Sequence, residues 1–144
     1  MRIAFFVPGV PRPQGSKTAF YIKTIKRVVQ MDACKDLKPW RATVAAFARE
    51  AYQGPIITGP VSMIVDFVFA RPVNHYGSGK NAARLKESAP VRMSNGYDLD
   101  KLQRSIGDAL TGIVYRDDKQ IDEWHAQKIY GDKTGVTITV EVET

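Results

Sequence analysis

Asp98-Leu-Asp-Lys-Leu-Gln-Arg-Ser-Ile-Gly-Asp-Ala-Leu110 decides how this chain folds. Leu99, Leu102, Ile106, Ala109 and Leu110 recur at helical spacing, which predicts a helix from about Asp100 to Leu110 with that stripe on the core. Gly112 is the expected stop, because a glycine just past the last periodic residue readily takes the left-handed turn that ends helices. The same stretch carries Asp98, Asp100 and Asp108, and Asp117-Asp118 follows after a short connection.

Upstream, Val61–Ala70 is rich in β-branched and aromatic residues and predicts a central strand. Downstream, Lys119–Tyr130 and Thr134–Glu143 read as two further strands, with Gly131-Asp-Lys133 as their turn and Val136, Ile138, Val140 and Val142 alternating. Ile3–Val7 predicts a short buried strand that ends in the Pro- and Gly-rich loop 8–17. Ala19–Ile22 and Arg27–Met31 form a hairpin around the basic turn Lys23–Lys26. Lys38–Tyr52 has a second helical stripe in Trp40, Val44, Phe47 and Ala48, with Asp36 as N-cap and Pro39 in the first turn. Residues 71–97 are a long Gly-, Asn- and Ser-rich loop, a kind of segment that is often functional or mobile. The expected fold is α/β (α+β): one compact domain over residues 1–144, a mixed β-sheet with two main helices packed on it.

The net charge of +6 is unevenly spread. Residues 1–50 hold ten Lys/Arg against three Asp/Glu, and residues 51–144 hold eleven against twelve. The N-terminal third is therefore the expected polyanion-binding surface, through Lys17, Lys23, Lys26 and Arg27. The long loop, with Lys80, Arg84, Lys86 and Arg92, is a second candidate DNA-binding surface. Cys34 is the only cysteine, so no intramolecular disulfide can form, and no Cys/His spacing suits zinc. No signal peptide, membrane-length apolar run or Gly-x-x-x-x-Gly-Lys-Ser/Thr nucleotide loop is present, which predicts a cytoplasmic protein with no membrane partner and no nucleotide cofactor.

Crowded carboxylates raise one another's pKa and destabilise a fold unless a cation offsets the repulsion. Asp98 and Asp100 enter the helix near its N-terminus, and a helix with a short return brings Asp118 back near it. Convergence of the three would make an oxygen-ligand site for Mg²⁺ or Mn²⁺. Each acid has a structural alternative: Asp100 as N-cap, Asp108 paired with Arg104 at i,i+4, Asp117 as the start of a turn. His75 and His125 lie in no metal-ligand spacing and read as ordinary surface or strand histidines, and Trp40 and Trp124 as core.

Asp98-Leu-Asp100-x-Leu102-Gln-Arg104, then Asp108-Ala-Leu110, then Asp117-Asp118-x-Gln120-Ile121 resembles the RusA family of Holliday junction resolvases, whose pattern is Asp-x-Asp-Asn-x-x-Lys, Asp-Ala-Leu and Asp-Asp-x-Gln-Val/Ile. Gly9-x-Pro-x-Pro-Gln-Gly-Ser-Lys17 and Leu37-Lys-Pro-Trp-Arg41 resemble phage and prophage members. The resemblance implies a homodimeric, Mg²⁺-dependent endonuclease that nicks two symmetric strands of a four-way DNA junction in recombination and repair. It implies Asp98, Asp100 and Asp118 as metal ligands and catalytic residues, with Arg104 in the catalytic Lys position; Asp117 and Asp108 match the pattern in less defined roles. Two residues depart from it: Lys101 replaces Asn, and Arg104 replaces Lys. Arginine keeps the cation but cannot transfer a proton near neutral pH. The competing class is a non-catalytic basic nucleic-acid-binding module whose acids are structural; a different Mg²⁺-dependent nuclease or phosphotransfer enzyme would share the site but not the substrate.

Overall fold

Alternation along Val61–Phe69 is complete: every odd residue is buried and every even one half-buried. That pattern belongs to a strand with neighbours on both edges and a helix layer on one face. In the computed structural model, which describes residues 1–15, 17–22, 26–32 and 35–143 without the side chains of 17–22 and 27–32, this strand is β4 of a four-stranded mixed sheet. The other three are β1 (Arg2–Pro8), β5 (Ile121–Tyr130) and β6 (Gly135–Glu141), in the order β1-β6-β4-β5. β6 runs antiparallel to both β1 and β4, and β4 and β5 are parallel. β2 (Lys17–Ile22) and β3 (Arg27–Asp32) form a separate antiparallel hairpin, as expected.

The register aligns Ile3, Phe5 and Val7 with Val140, Ile138 and Val136, and these with Met63, Val65 and Phe67. This face is the core, closed by the two helices, α1 (Leu37–Ala51) and α2 (Leu99–Leu110). The result is an α+β fold. α1 buries Leu37, Trp40, Val44 and Ala48, close to the predicted stripe. Asp36 occupies its N-cap position but makes no side-chain cap bond; its carboxylate lies 3.7 Å from Arg12 instead. No helix among the described residues is long and apolar enough to cross a membrane.

Two expectations about the C-terminal strands are corrected. β5 and β6 are not a hairpin, because β4 lies between them. Gly131 donates its N–H to the carbonyl of Phe69 at 3.0 Å as the chain passes the end of β4, and a Cβ on it would strike Val68 at 2.7 Å. The short connection thus hops over one strand, which glycine's bare Cα permits. β5 also starts two residues late, since Asp118–Gln120 is a turn of 3₁₀ helix.

The loop 71–97 is tied down at several points. Lys128 donates to the carbonyls of Asn95 and Tyr97, each at 2.9 Å. Arg71 lies 4.5 Å over the Tyr130 ring and donates to the carbonyl of Pro90 at 2.7 Å. Lys80, Arg84, Lys86 and Arg92 are all exposed on it. On the hairpin, Lys26 is exposed; Lys23, and the side chains of Lys17 and Arg27, lie outside the described residues, as does Cys34.

Candidate active site

Asp100, Gln103, Arg104 and Gly107 stand at i, i+3, i+4 and i+7 of α2, so they form one stripe on the helix surface. They line a cavity of about 210 Å³ whose opposite wall is Asp118, Ile121 and Trp124. β5 brings that wall in, since Trp124 and Ala126 point to the same sheet face as Met63 and Val65. Trp124 is half-buried there, packed against the core while lining the cavity.

α2 ends where predicted: Thr111 is extended and Gly112 takes φ +83°. Its N-cap is Asp98, not Asp100, which sits in the first turn. The Asp98 carboxylate makes no cap bond and faces Lys101 at 3.4 Å. Asp98 is not on the cavity wall, and among the described residues no three His, Cys, Asp or Glu side chains are gathered closely enough to hold a metal ion. Asp100 and Gly107, beside which Asp118 stands, are seven residues apart, or about 10 Å along the helix axis.

The return from α2 explains the Asp-Asp-x-Gln spacing. Asp117 caps the 3₁₀ turn: its carboxylate accepts from the Lys119 N–H at 2.9 Å, and its own N–H donates to Gln120 Oε1 at 2.9 Å. The first of these bonds holds the Asp117 carboxyl below its usual range. Gln120 spends its amide hydrogens on the carbonyls of Ile57 and Gly59, at 2.8 and 2.9 Å. With Asp117 and Gln120 both committed to the turn, Asp118 is the acid presented to α2. Burial, then the neighbouring Asp108 and Asp117 carboxylates, push its pKa up. Beneath, the buried Tyr115 hydroxyl donates to the Gly107 carbonyl at 2.6 Å, and burial together with Asp118 and Asp108 raises its pKa strongly.

The Arg104–Asp108 pair, the structural alternative for Asp108, is not formed. Asp108 accepts a hydrogen bond from Gln14 Nε2, and Arg41 Nη1 lies 3.9 Å away. Arg104 is left exposed on the cavity. A larger hollow of about 460 Å³ is lined by Asp122, Glu123, Glu141 and Glu143, and would repel a phosphate backbone. His125 pairs with Glu123 there at 2.7 Å, and His75 packs edge-on against Tyr130. Neither histidine reaches the cavity. Gln120 was legible only as part of the motif. Tyr115 carries no sequence signal of its own for this site, and Arg41 only its place in the Leu37–Arg41 stretch.

The family described as endodeoxyribonuclease RusA matches residues 8–141, which takes in the N-terminal loop, both helices and every strand of the sheet except β1. The chain belongs to the RusA family of endodeoxyribonucleases. It is an enzyme of that class, and RusA proteins are Holliday junction resolvases acting on branched DNA. Resolvase nucleases of this kind generally use divalent metals. The uncharacterized protein YqaN of Bacillus subtilis (strain 168) is 32% identical over 145 residues, covering 96% of this chain and 94% of that protein. Against the RusA pattern, the stripe Asp100–Arg104 and the facing Asp118 are the residues that share a cavity.

Proposed function

We propose that this protein is a Mg²⁺-dependent, structure-selective endodeoxyribonuclease of the cytoplasm that resolves four-way junctions by paired symmetric nicks. Residues 1–144 form one RusA-like domain, and two copies act together, since a two-fold dimer matches the approximate two-fold symmetry of a junction. The supporting observation is the cavity between Asp100, Arg104 and Asp118.

Carboxylate oxygens suit a hard divalent cation, and Asp100 and Asp118 offer theirs from the two walls. At ~30 Å³ per water the cavity has room for about seven waters, enough for an ion that keeps much of its hydration. Asp100 and Asp118, on the two walls, would hold Mg²⁺, or Mn²⁺ in its place, with Asp98 at the α2 N-cap as the third ligand that the RusA pattern assigns, and the ion would supply Lewis acidity toward the scissile phosphate and a water nucleophile. Desolvation of Asp118, then its crowding by Asp108 and Asp117, disfavours its charged form, and a bound ion would relieve that cost.

Arg104 faces the same space as a fixed cation and offsets charge developing on the phosphate oxygens. The hairpin lysines and the exposed Lys80, Arg84, Lys86 and Arg92 supply backbone contacts, so that selectivity follows junction shape more than base sequence.

The test is cleavage of a synthetic four-way junction and a linear duplex, with Mg²⁺ and with EDTA, by wild type and Asp100→Asn. Symmetric nicks in the junction alone, lost in EDTA and in the variant while junction binding persists, are the expected result. Metal-independent binding without any cleavage would instead establish a non-catalytic binding module.

A further inference from the structure

We propose that Gln14 is a positioning residue of this site, relaying a hydrogen bond from Arg41 to hold the Asp108 carboxylate beside Asp118. The inference rests on the nuclease reading above and names a residue that works behind it.

The loop that delivers Gln14 is braced along its length. Gly9 donates to the carbonyl of Thr134 at 3.2 Å and lies over Trp40 with φ +124°, where a Cβ would meet the ring at 3.2 Å. Arg12 donates to the Tyr97 hydroxyl at 3.0 Å and faces Asp36 at 3.7 Å. Pro11 and Pro13, on either side of Arg12, restrict the backbone further. Gln14 itself donates its N–H to the carbonyl of Lys101 on α2 at 3.0 Å. Its side chain therefore arrives at α2 from a fixed anchor.

There it meets two charged partners of opposite sign. Arg41 Nη1 donates to Gln14 Oε1 at 3.1 Å, and Gln14 Nε2 donates to Asp108 Oδ2. A guanidinium can only donate and a carboxylate can only accept, so the amide orientation is fixed from both ends. Arg41 is 3.9 Å from the same carboxylate oxygen, too far for a hydrogen bond of its own. The amide closes that gap without adding charge. A lysine or arginine at position 14 would neutralise Asp108; glutamine pins one of its oxygens and leaves the anion intact beside Asp118. Groups that orient a metal-binding cluster in this way typically change metal affinity 10–100-fold when removed.

The alternative role is a plain staple between loop and helix, whose loss would lower stability and nothing else. Gln14→Leu separates the two. Mn²⁺ binding to the free protein, followed by electron paramagnetic resonance, should show the half-saturating concentration rising about tenfold or more. Single-turnover junction cleavage should fall at low Mg²⁺ and recover at excess Mg²⁺, while junction affinity in EDTA stays unchanged. Arg41→Met removes the relay from its far end and leaves the Gln14 backbone anchor, so it should shift Mn²⁺ binding in the same direction even if Gln14→Leu folds poorly. Unchanged Mn²⁺ half-saturation in a folded variant, with a wild type that binds and cleaves, overturns the role of Gln14 alone. A wild type that neither binds Mn²⁺ nor cleaves overturns the nuclease reading and this inference with it.

Discussion

Asp118 stands directly against Gly107: a β-carbon added to the glycine would lie 3.7 Å from that of the aspartate. The same carbon would meet Trp124 at 3.7 Å and Ile121 at 3.8 Å, all ordinary van der Waals distances. Gly107 is thus the floor of the cavity between α2 and β5, and it is kept bare although the space admits a methyl group.

Replacing that glycine should separate stability from activity. Gly107→Ala removes a flexible residue from a helix interior and should stabilise the protein by up to about 1 kcal/mol, read from thermal melts in EDTA. Gly107→Leu would fill the cavity and should abolish cleavage in a protein that still melts cooperatively. A fully active leucine variant would move the reaction away from this cavity.

Asp118 supplies a pH signature. Its folded-state pKa is raised from the usual 3.8 by burial first, then by the Asp108 and Asp117 carboxylates. The folded form therefore holds this proton more tightly than the unfolded chain does. The stability it contributes is complete below pH 3.8 and is lost as pH rises through the folded pKa. Asp118→Asn should accordingly melt higher than wild type near pH 7 in EDTA, with the gap closing at pH values below 3.8. Mg²⁺ should raise the wild-type melting temperature and leave the variant unmoved. A variant less stable than wild type at pH 7 in EDTA would remove carboxylate repulsion from the account.

Arg104 lines the cavity four residues after Asp100 and is not paired with Asp108. Arg104→Lys should retain substantial cleavage, since charge is what the position supplies. Arg104→Ala should lose on the order of 3–4 kcal/mol of transition-state stabilisation, the scale of removing one preorganised donor. Single-turnover rates at saturating enzyme decide this, and a near-wild-type alanine rate would assign Arg104 to the solvent-exposed surface.

Gln120 makes the two long-range bonds to Ile57 and Gly59 and closes the box with Asp117. Gln120→Leu should cost about 2–3 kcal/mol, at roughly 1 kcal/mol per lost hydrogen bond, measured as a shift in urea midpoint. A loss below about 0.5 kcal/mol would mean that the 57–59 segment is held by other contacts.

What the sequence made legible was what short spacing encodes. The apolar stripe of α2, the β-branched and aromatic composition of β4 and the stop at Gly112 are local signals, and they hold. The stripe Asp100–Arg104 follows from helical period alone. The pairing of β5 with β4 did not follow, because Gly131–Lys133 has turn chemistry whether the next strand docks alongside or one place further on. Asp108 misled for a related reason. A cation four residues away is the near partner on paper, but Gln14, 94 residues distant, arrives first in space. Asp117 and Asp118 look alike in sequence and differ in task, because only the fold shows that one caps a turn and the other faces α2.

β6 follows every other strand of the sheet in the chain, yet it lies second in the sheet, as the sole sheet neighbour of β1 and the antiparallel neighbour of β4. A ribosome therefore delivers the keystone after the arch. Until residues 135–141 emerge, β1 has no sheet partner and β4 with β5 is a lone parallel pair with an open edge. The acids on α2 and the turn before β5 precede the strand that completes the scaffold aligning them. A chain truncated before residue 135 would keep the acids of α2 and the 118–120 turn without the strand that joins β1 to β4.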